Sequence, residues 1–176
     1  MKLIGNYVDW IDDKWIDYVI NNDGRPMPDK SDLENATETQ EERDNPLSMH
    51  WTTGRPLIFP TLCYQYDIKN TDFIIDAPWP MATHSEWWIN KFMPFMLGPM
   101  HQDGSRTNEP NVKYYRYWMP LQDYEQGHIF IYEHTLITDY KKGDLYLYDD
   151  PDAQHCAGNS GWTPRLSLNI TAWECI

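Results

Sequence analysis

The sequence predicts a mainly β protein, an antiparallel sandwich or barrel, with a helix near its start. Three observations carry that expectation. Aromatic content is high, with nine Trp and twelve Tyr in 176 residues, and aromatic side chains fit a pleated, half-buried surface. The second half is a succession of short apolar-alternating runs broken by Gly, Pro, Asn and Asp, the punctuation of a many-stranded fold. Helical periodicity is sustained near the N-terminus, and one further short helix is suggested before the β-rich half.

Taken in order, residues 7–21 place Val8, Ile11, Trp15, Tyr18 and Val19 at helical intervals, with Asp12, Asp13 and Asp17 largely off that stripe. The spacing predicts an amphipathic helix over 7–21, stopped by Asn21-Asn22-Asp23-Gly24. Residues 22–50 are polar, acidic and proline-broken, and read as a long surface loop that could cover a site. RPLIFPTLCYQYDI and DFIID read as strands. THSEWWINKFM reads as a short helix, with Thr83 as N-cap and Glu86 as its capping-box partner. Five β-like runs follow: PFMLGPMHQD, VKYYRYWMPL, HIFIYEHTLI, DLYLYDD with QHCAG, and PRLSLNITAW. The length suits a single domain over 1–176 that buries its own core without covalent staples.

Composition excludes several classes. The net charge is −13, with 14 basic against 27 acidic residues, so the basic footprint of a nucleic-acid binder is missing. No apolar run reaches the ~20 residues of a membrane span. MKLIGNYVDWIDDKW meets aspartates before an apolar segment develops, so no secretory signal is expected. Cys63, Cys156 and Cys175 are too few and scattered for a disulfide framework or a zinc site. A reducing, cytoplasmic setting is the expectation.

The chemistry-bearing residues lie in the second half. In GPMHQDGS, His101 and Asp103 are one residue apart, so on a strand both project from the same face. That is the placement two ligands of one metal need. His84-Ser85-Glu86 has the same spacing but a helical setting, where i and i+2 are not neighbours. His155 follows after further short strands and completes a two-histidine, one-carboxylate set suited to Fe(II). In TPRLSLNIT, Arg165, Ser167 and Asn169 face one way and Leu166, Leu168 and Ile170 the other. An arginine inside a strand calls for an anion, and a carboxylate is its best bidentate partner. Cys156 is expected on the face opposite His155. His50, His84, His128 and His134 have no comparable context and read as structural or exposed.

Together His101-Gln102-Asp103, His155 and Arg165-Leu166-Ser167 resemble the Fe(II)/2-oxoglutarate-dependent oxygenases, in their prolyl-hydroxylase-like branch. Gly143-Asp144 and the hydrophobic run after it resemble the strand that leads into the distal histidine of that family. The likeness spans roughly residues 85 to 175. It implies a double-stranded β-helix (jelly-roll) core over about 55–175, with helices flanking it and Leu166, Leu168 and Ile170 turned toward the first helix. It implies iron held by His101, Asp103 and His155, and 2-oxoglutarate held by Arg165 and Ser167, with Tyr117 or Tyr115 as a further donor. It implies a hydroxylase that couples decarboxylation of 2-oxoglutarate by molecular oxygen to C–H oxidation of a protein, peptide or amino-acid-like substrate. An oxygenase of a small metabolite and a non-catalytic metal-retaining module are the alternatives. Asp103, where halogenating relatives carry a small residue, points to hydroxylation. The family's common Gly-Gly is Gly127-His128 here. Thr171 and Ala172 stand where the nucleic-acid-repair branch has a second arginine. Trp79, Trp87 and Trp88 are expected to shape the substrate pocket.

Overall fold

The computed structural model describes residues 1–27, 63–68, 77–79, 82, 84–98, 100–103 and 111–175. Eleven named elements occur among them: β1 (Lys2–Asn6), α1 (Asp13–Asn21), β2 (Arg25–Met27), β3 (Cys63–Asp67), β4 (His84–Phe92), β5 (Val112–Pro120), β6 (His128–Tyr132), β7 (Thr135–Leu136), β8 (Asp144–Leu147), β9 (His155–Asn159) and β10 (Arg165–Cys175). All strand pairs are antiparallel. The larger sheet has the order β1-β8-β5-β10-β4-β3-β2 and the smaller one β7-β6-β9. The segment after β4 joins the smaller sheet through bridges at Leu97 and His101. From β4 onward the described chain alternates between sheets: β4 large, Leu97 and His101 small, β5 large, β6 and β7 small, β8 large, β9 small, β10 large. That winding is the double-stranded β-helix.

The larger sheet is covered on both faces. On its outer face Leu166, Leu168 and Ile170 share a buried cluster with Ile11, Trp15 and Val19, as the alternation of TPRLSLNIT requires. Between the sheets, Trp118 packs with Phe130, Tyr132, Tyr140 and Tyr148. The helix is shorter than its sequence period suggests. Asp12 accepts from the Lys14 amide and starts α1 at Asp13. Before it, Val8–Trp10 forms one turn of 3-10 helix and Ile11 is extended. Val8 and Tyr18, which the stripe placed inside, are 40% and 45% exposed. No described helix is long and apolar enough to cross a membrane.

Residues 84–92 overturn the helix expected for THSEWWINKFM. They form β4, paired with β10 over nine residues from Arg165↔Phe92 to Trp173↔His84. Trp87 and Ile89 alternate into the outer core, and a full ladder beside the central strand outweighs a weak local helical preference. Thr83 lies outside the described residues. The rest of the expected β run from Arg55, the run DFIID and the acidic loop beyond Met27 also lie outside them, while Arg25–Met27 within that loop is strand β2.

The change of element has a consequence at Lys91. As a strand residue it is 3% exposed, and its ammonium donates to the carbonyls of Val19 and Asn22, both at 2.8 Å. α1 has no basic residue in its last turn, so Lys91 supplies from the sheet the cation that satisfies the helix end. Tyr66 donates to the same two carbonyls. Replacing Lys91 with Met is expected to lower stability by about 1.5–3 kcal/mol, the value of a charge-assisted hydrogen bond, measured by urea unfolding.

Gly127 stands in the turn that leads into β6, at φ +99, and a Cβ there would lie 2.4 Å from the Gly161 amide nitrogen. The resemblance's first glycine therefore has its own steric reason, and its second is free to be His128. Gly127→Ala is expected to destabilise by about 1–3 kcal/mol, read as a fall in the same urea midpoint.

Candidate metal centre

β10 is the spine of the interior. The register places Arg165 opposite Phe92, Ser167 between Asn90 and Pro120, Asn169 between Trp88 and Trp118, Thr171 between Glu86 and Arg116, and Trp173 between His84 and Tyr114. Because directly opposed residues share a face, this face of the larger sheet runs from a buried cation to an aromatic row. In that row His84 stacks on Trp173 at 5.7 Å and 12°. Alternation also sorts the tryptophans: Trp88 lines the interior cavity, while Trp79 and Trp87 join the helix-side core.

Across the cavity stands the smaller sheet. His101 and His155 pair backbone to backbone, each amide donating to the other's carbonyl at 2.9 Å. This bridge, rather than a long strand, aims both imidazoles inward, with ring centroids 4.6 Å apart. Asp103 follows: one carboxylate oxygen lies 3.3 Å from His101 Nε2 and the other 3.5 Å from His155 Nε2. One ligand atom from each of His101, Asp103 and His155 falls within 4.8 Å of the others. Among the described residues no other three His, Cys, Asp or Glu side chains converge so. His84-Ser85-Glu86 lies on a strand after all, so its parity matches that of His101 and Asp103. It is set aside by position: His84 lies in the aromatic row, Glu86 beside Thr171, and neither joins the converging group.

The electrostatics suit a cation. His155 Nδ1 donates to the Ala153 carbonyl at 3.0 Å, which leaves Nε2 as the lone-pair nitrogen facing Asp103. Burial holds His155 below its ordinary value. For Asp103 burial acts upward, but the hydrogen bond to His101 and the charges of His155, Arg116 and His101 outweigh it and hold the carboxyl well below its usual range.

Arg165 is 1% exposed; none of its three guanidinium nitrogens makes a hydrogen bond of good geometry among the described residues, and the Tyr140 phenol is the hydrogen-bonding side chain beside it. Its Cζ lies 5.6 Å from the rings of Phe92, Trp118 and Phe130, three residues that line the cavity. Burial pulls its pKa down, and its leading electrostatic neighbours are the phenols of Tyr140 and Tyr148 and the thiol of Cys63. The Trp118 indole N–H is buried without an acceptor among the described residues. This end of the cavity is rich in donors, as an anion requires.

The structure thus brings His101, Asp103, His155 and Ser167 to one cavity, with Arg165 behind its aromatic wall. It does not bring the rings of Tyr115 and Tyr117 to the triad. Strand parity turns β5 the other way: Tyr117 packs in the helix-side core and touches the cavity only as part of its wall, and Tyr115 hydrogen-bonds Glu174. The inward residues of β5 are Arg116 and Trp118. Cys156 is buried on the far face of β9 from His155, as expected. Of the remaining histidines, His128 is buried beside Tyr140, His84 and His134 are exposed, and His50 lies outside the described residues.

Three residues of the site went unread in the sequence. Arg116 pairs with Asp103, Tyr148 packs edge-on to His155 with ring centroids 5.4 Å apart, and Trp118 walls Arg165. Arg116 carries the signal that singled out Arg165, a cation inside an apolar strand. Tyr148 ends a run whose parity alone would have set it with Tyr146.

Fold and site together define the class: a double-stranded β-helix protein carrying a His/Asp/His group able to hold a metal ion. No protein-family model matches the chain, and no curated protein does. Among solved structures it is similar to the DMSP lyase DddQ of Ruegeria pomeroyi DSS-3, at 12% identity and TM-score 0.49 over 97% of this chain and 66% of that one. It is similar to the plu4264 protein of Photorhabdus luminescens, at 12% identity and TM-score 0.43 over 63% and 75%. A third is a cupin 2 conserved barrel domain protein of Salinispora arenicola CNS-205, at 11% and 0.39 over 62% and 75%. The fold assignment rests on the strand order itself.

Proposed function

We propose that this protein is an Fe(II)- and 2-oxoglutarate-dependent dioxygenase, a hydroxylase. The observation that supports it is the pairing, about one cavity, of a converging His/Asp/His group with a buried guanidinium that has no ion pair among the described residues. Residues and group fit. Two imidazoles and one carboxylate suit Fe(II), and unpartnered donors around Arg165 suit the far carboxylate of a dicarboxylic acid. His101, Asp103 and His155 would hold the iron, which would supply oxygen activation coupled to decarboxylation of 2-oxoglutarate to succinate. Arg165 and Ser167 would anchor the cosubstrate. The Ala153 carbonyl keeps the His155 ring oriented. Phe92, Trp118 and Phe130 keep water from the guanidinium, which strengthens its attraction for a carboxylate. The substrate class, a protein, peptide or amino-acid-like molecule, follows from the resemblance, and a cytoplasmic setting from the few scattered cysteines.

The test is anaerobic addition of Fe(II) and 2-oxoglutarate. A visible charge-transfer band and a rise in melting temperature are expected. Absence of both would overturn the assignment. Screening candidate substrates by succinate release would then define the product.

A further inference from the structure

Arg116 does more at this site than fill a wall. It projects from β5, opposite Thr171, into the cavity lined by the triad. Nη1 donates to Oδ2 of Asp103, and Nη2 donates to the backbone carbonyl of the same residue at 3.0 Å. The Arg116 side chain is 13% exposed, so the pair is poorly screened by solvent. The fork thus grips one residue by side chain and main chain at once, and that residue is a candidate metal ligand.

We propose that Arg116 is a tuning residue built against the metal centre: a fixed counter-cation that weakens the hold of the triad on a divalent ion. The inference rests on the metal reading of His101, Asp103 and His155. Its sign follows from chemistry. Outer acceptors make an imidazole ligand more basic, a carboxylate ligand takes outer donors instead, and losing a neutral outer partner of either kind weakens metal binding. Arg116 is a permanently charged donor. It draws electron density from the Asp103 carboxylate, occupies one of its two oxygens and repels an incoming dication. Its orienting grip on Asp103 acts the other way. The restraint of one short carboxylate rotamer is the smaller effect, because a unit charge a few ångströms from a dication in a half-buried site interacts far more strongly than that.

The experiment is calorimetric titration of the full chain with Mn(II), and with Co(II) followed by its visible band, for the wild type, R116M and R116K. R116M is expected to bind Mn(II) roughly tenfold or more tightly than the wild type. R116K, which keeps the charge without the fork, is expected to stay within about threefold of the wild type. The Co(II) band should keep its shape in both variants, showing the same ligands. A merely structural arginine would shift the metal-free melting temperature and leave the charge-dependent split between R116M and R116K absent. R116M binding as the wild type does, or more weakly, would overturn the proposal. A wild type that takes up neither ion would instead overturn the metal reading beneath it.

Discussion

Replacing Arg165 with methionine is expected to make the ligand-free protein more stable while abolishing its response to 2-oxoglutarate. The guanidinium is buried, and among the described residues it has no ion pair, the Tyr140 phenol being the hydrogen-bonding side chain beside it. A buried cation without an anionic partner has given up its hydration for little return. Aromatic rings at 5.6 Å on three sides recover part of that, at about 0.5–2 kcal/mol per favourable cation–π contact. Methionine keeps the length and the contact with Phe92, Trp118 and Phe130 and removes the charge. Urea unfolding without ligands should show a gain of about 1–4 kcal/mol, the range seen when buried charges give way to apolar side chains. With metal present, added 2-oxoglutarate should raise the melting temperature of the wild type but not of the variant, whose metal titration should be unchanged. A variant less stable than the wild type would mean that the guanidinium is a packing element. Equal loss of metal and 2-oxoglutarate binding would mean that it serves the triad.

The second large effect is expected at the triad. For a metal supplied at 100 times its dissociation constant, the wild type should gain about 2.7 kcal/mol of stability. His155→Ala should gain none. His155 is buried against Tyr148, and its ring bonds the Ala153 carbonyl, so the alanine variant also loses packing. The quantity to compare is therefore the metal-induced gain within each protein. Asp103→Asn separates the two effects further. It preserves shape and can still accept from Arg116, but it removes the ligand charge, so metal protection should vanish with little loss of packing. Full metal protection in both variants would show that the ion binds elsewhere.

How much of this was legible in the sequence depends on the range of the interaction. Strand parity is local, so Arg165 and Ser167 on one face and Leu166, Leu168 and Ile170 on the other could be read directly. His101, Asp103 and His155 could be singled out because few residue types ligate metal and their order is distinctive. The β4 segment could not be read. SEWWINKF satisfies helical capping locally, and only the nine-residue ladder with β10 makes it a strand. That error also hid Lys91 as the cap of α1, and it made His84-Ser85-Glu86 fail for a reason that does not hold. Tyr115 and Tyr117 show the complementary limit. Their shared parity was legible, but which face looks inward depends on where the other sheet lies.

The sequence by itself determined the alternation of each strand, the identities of the three residues that converge and the arginine inside a strand, because these depend on covalent spacing and side-chain chemistry. Only the tertiary structure decided that β4 is a strand, that Arg116 faces Asp103, and that Arg165 sits behind an aromatic wall. Register and sheet packing join residues far apart in the chain, and no local pattern encodes which partners they will meet.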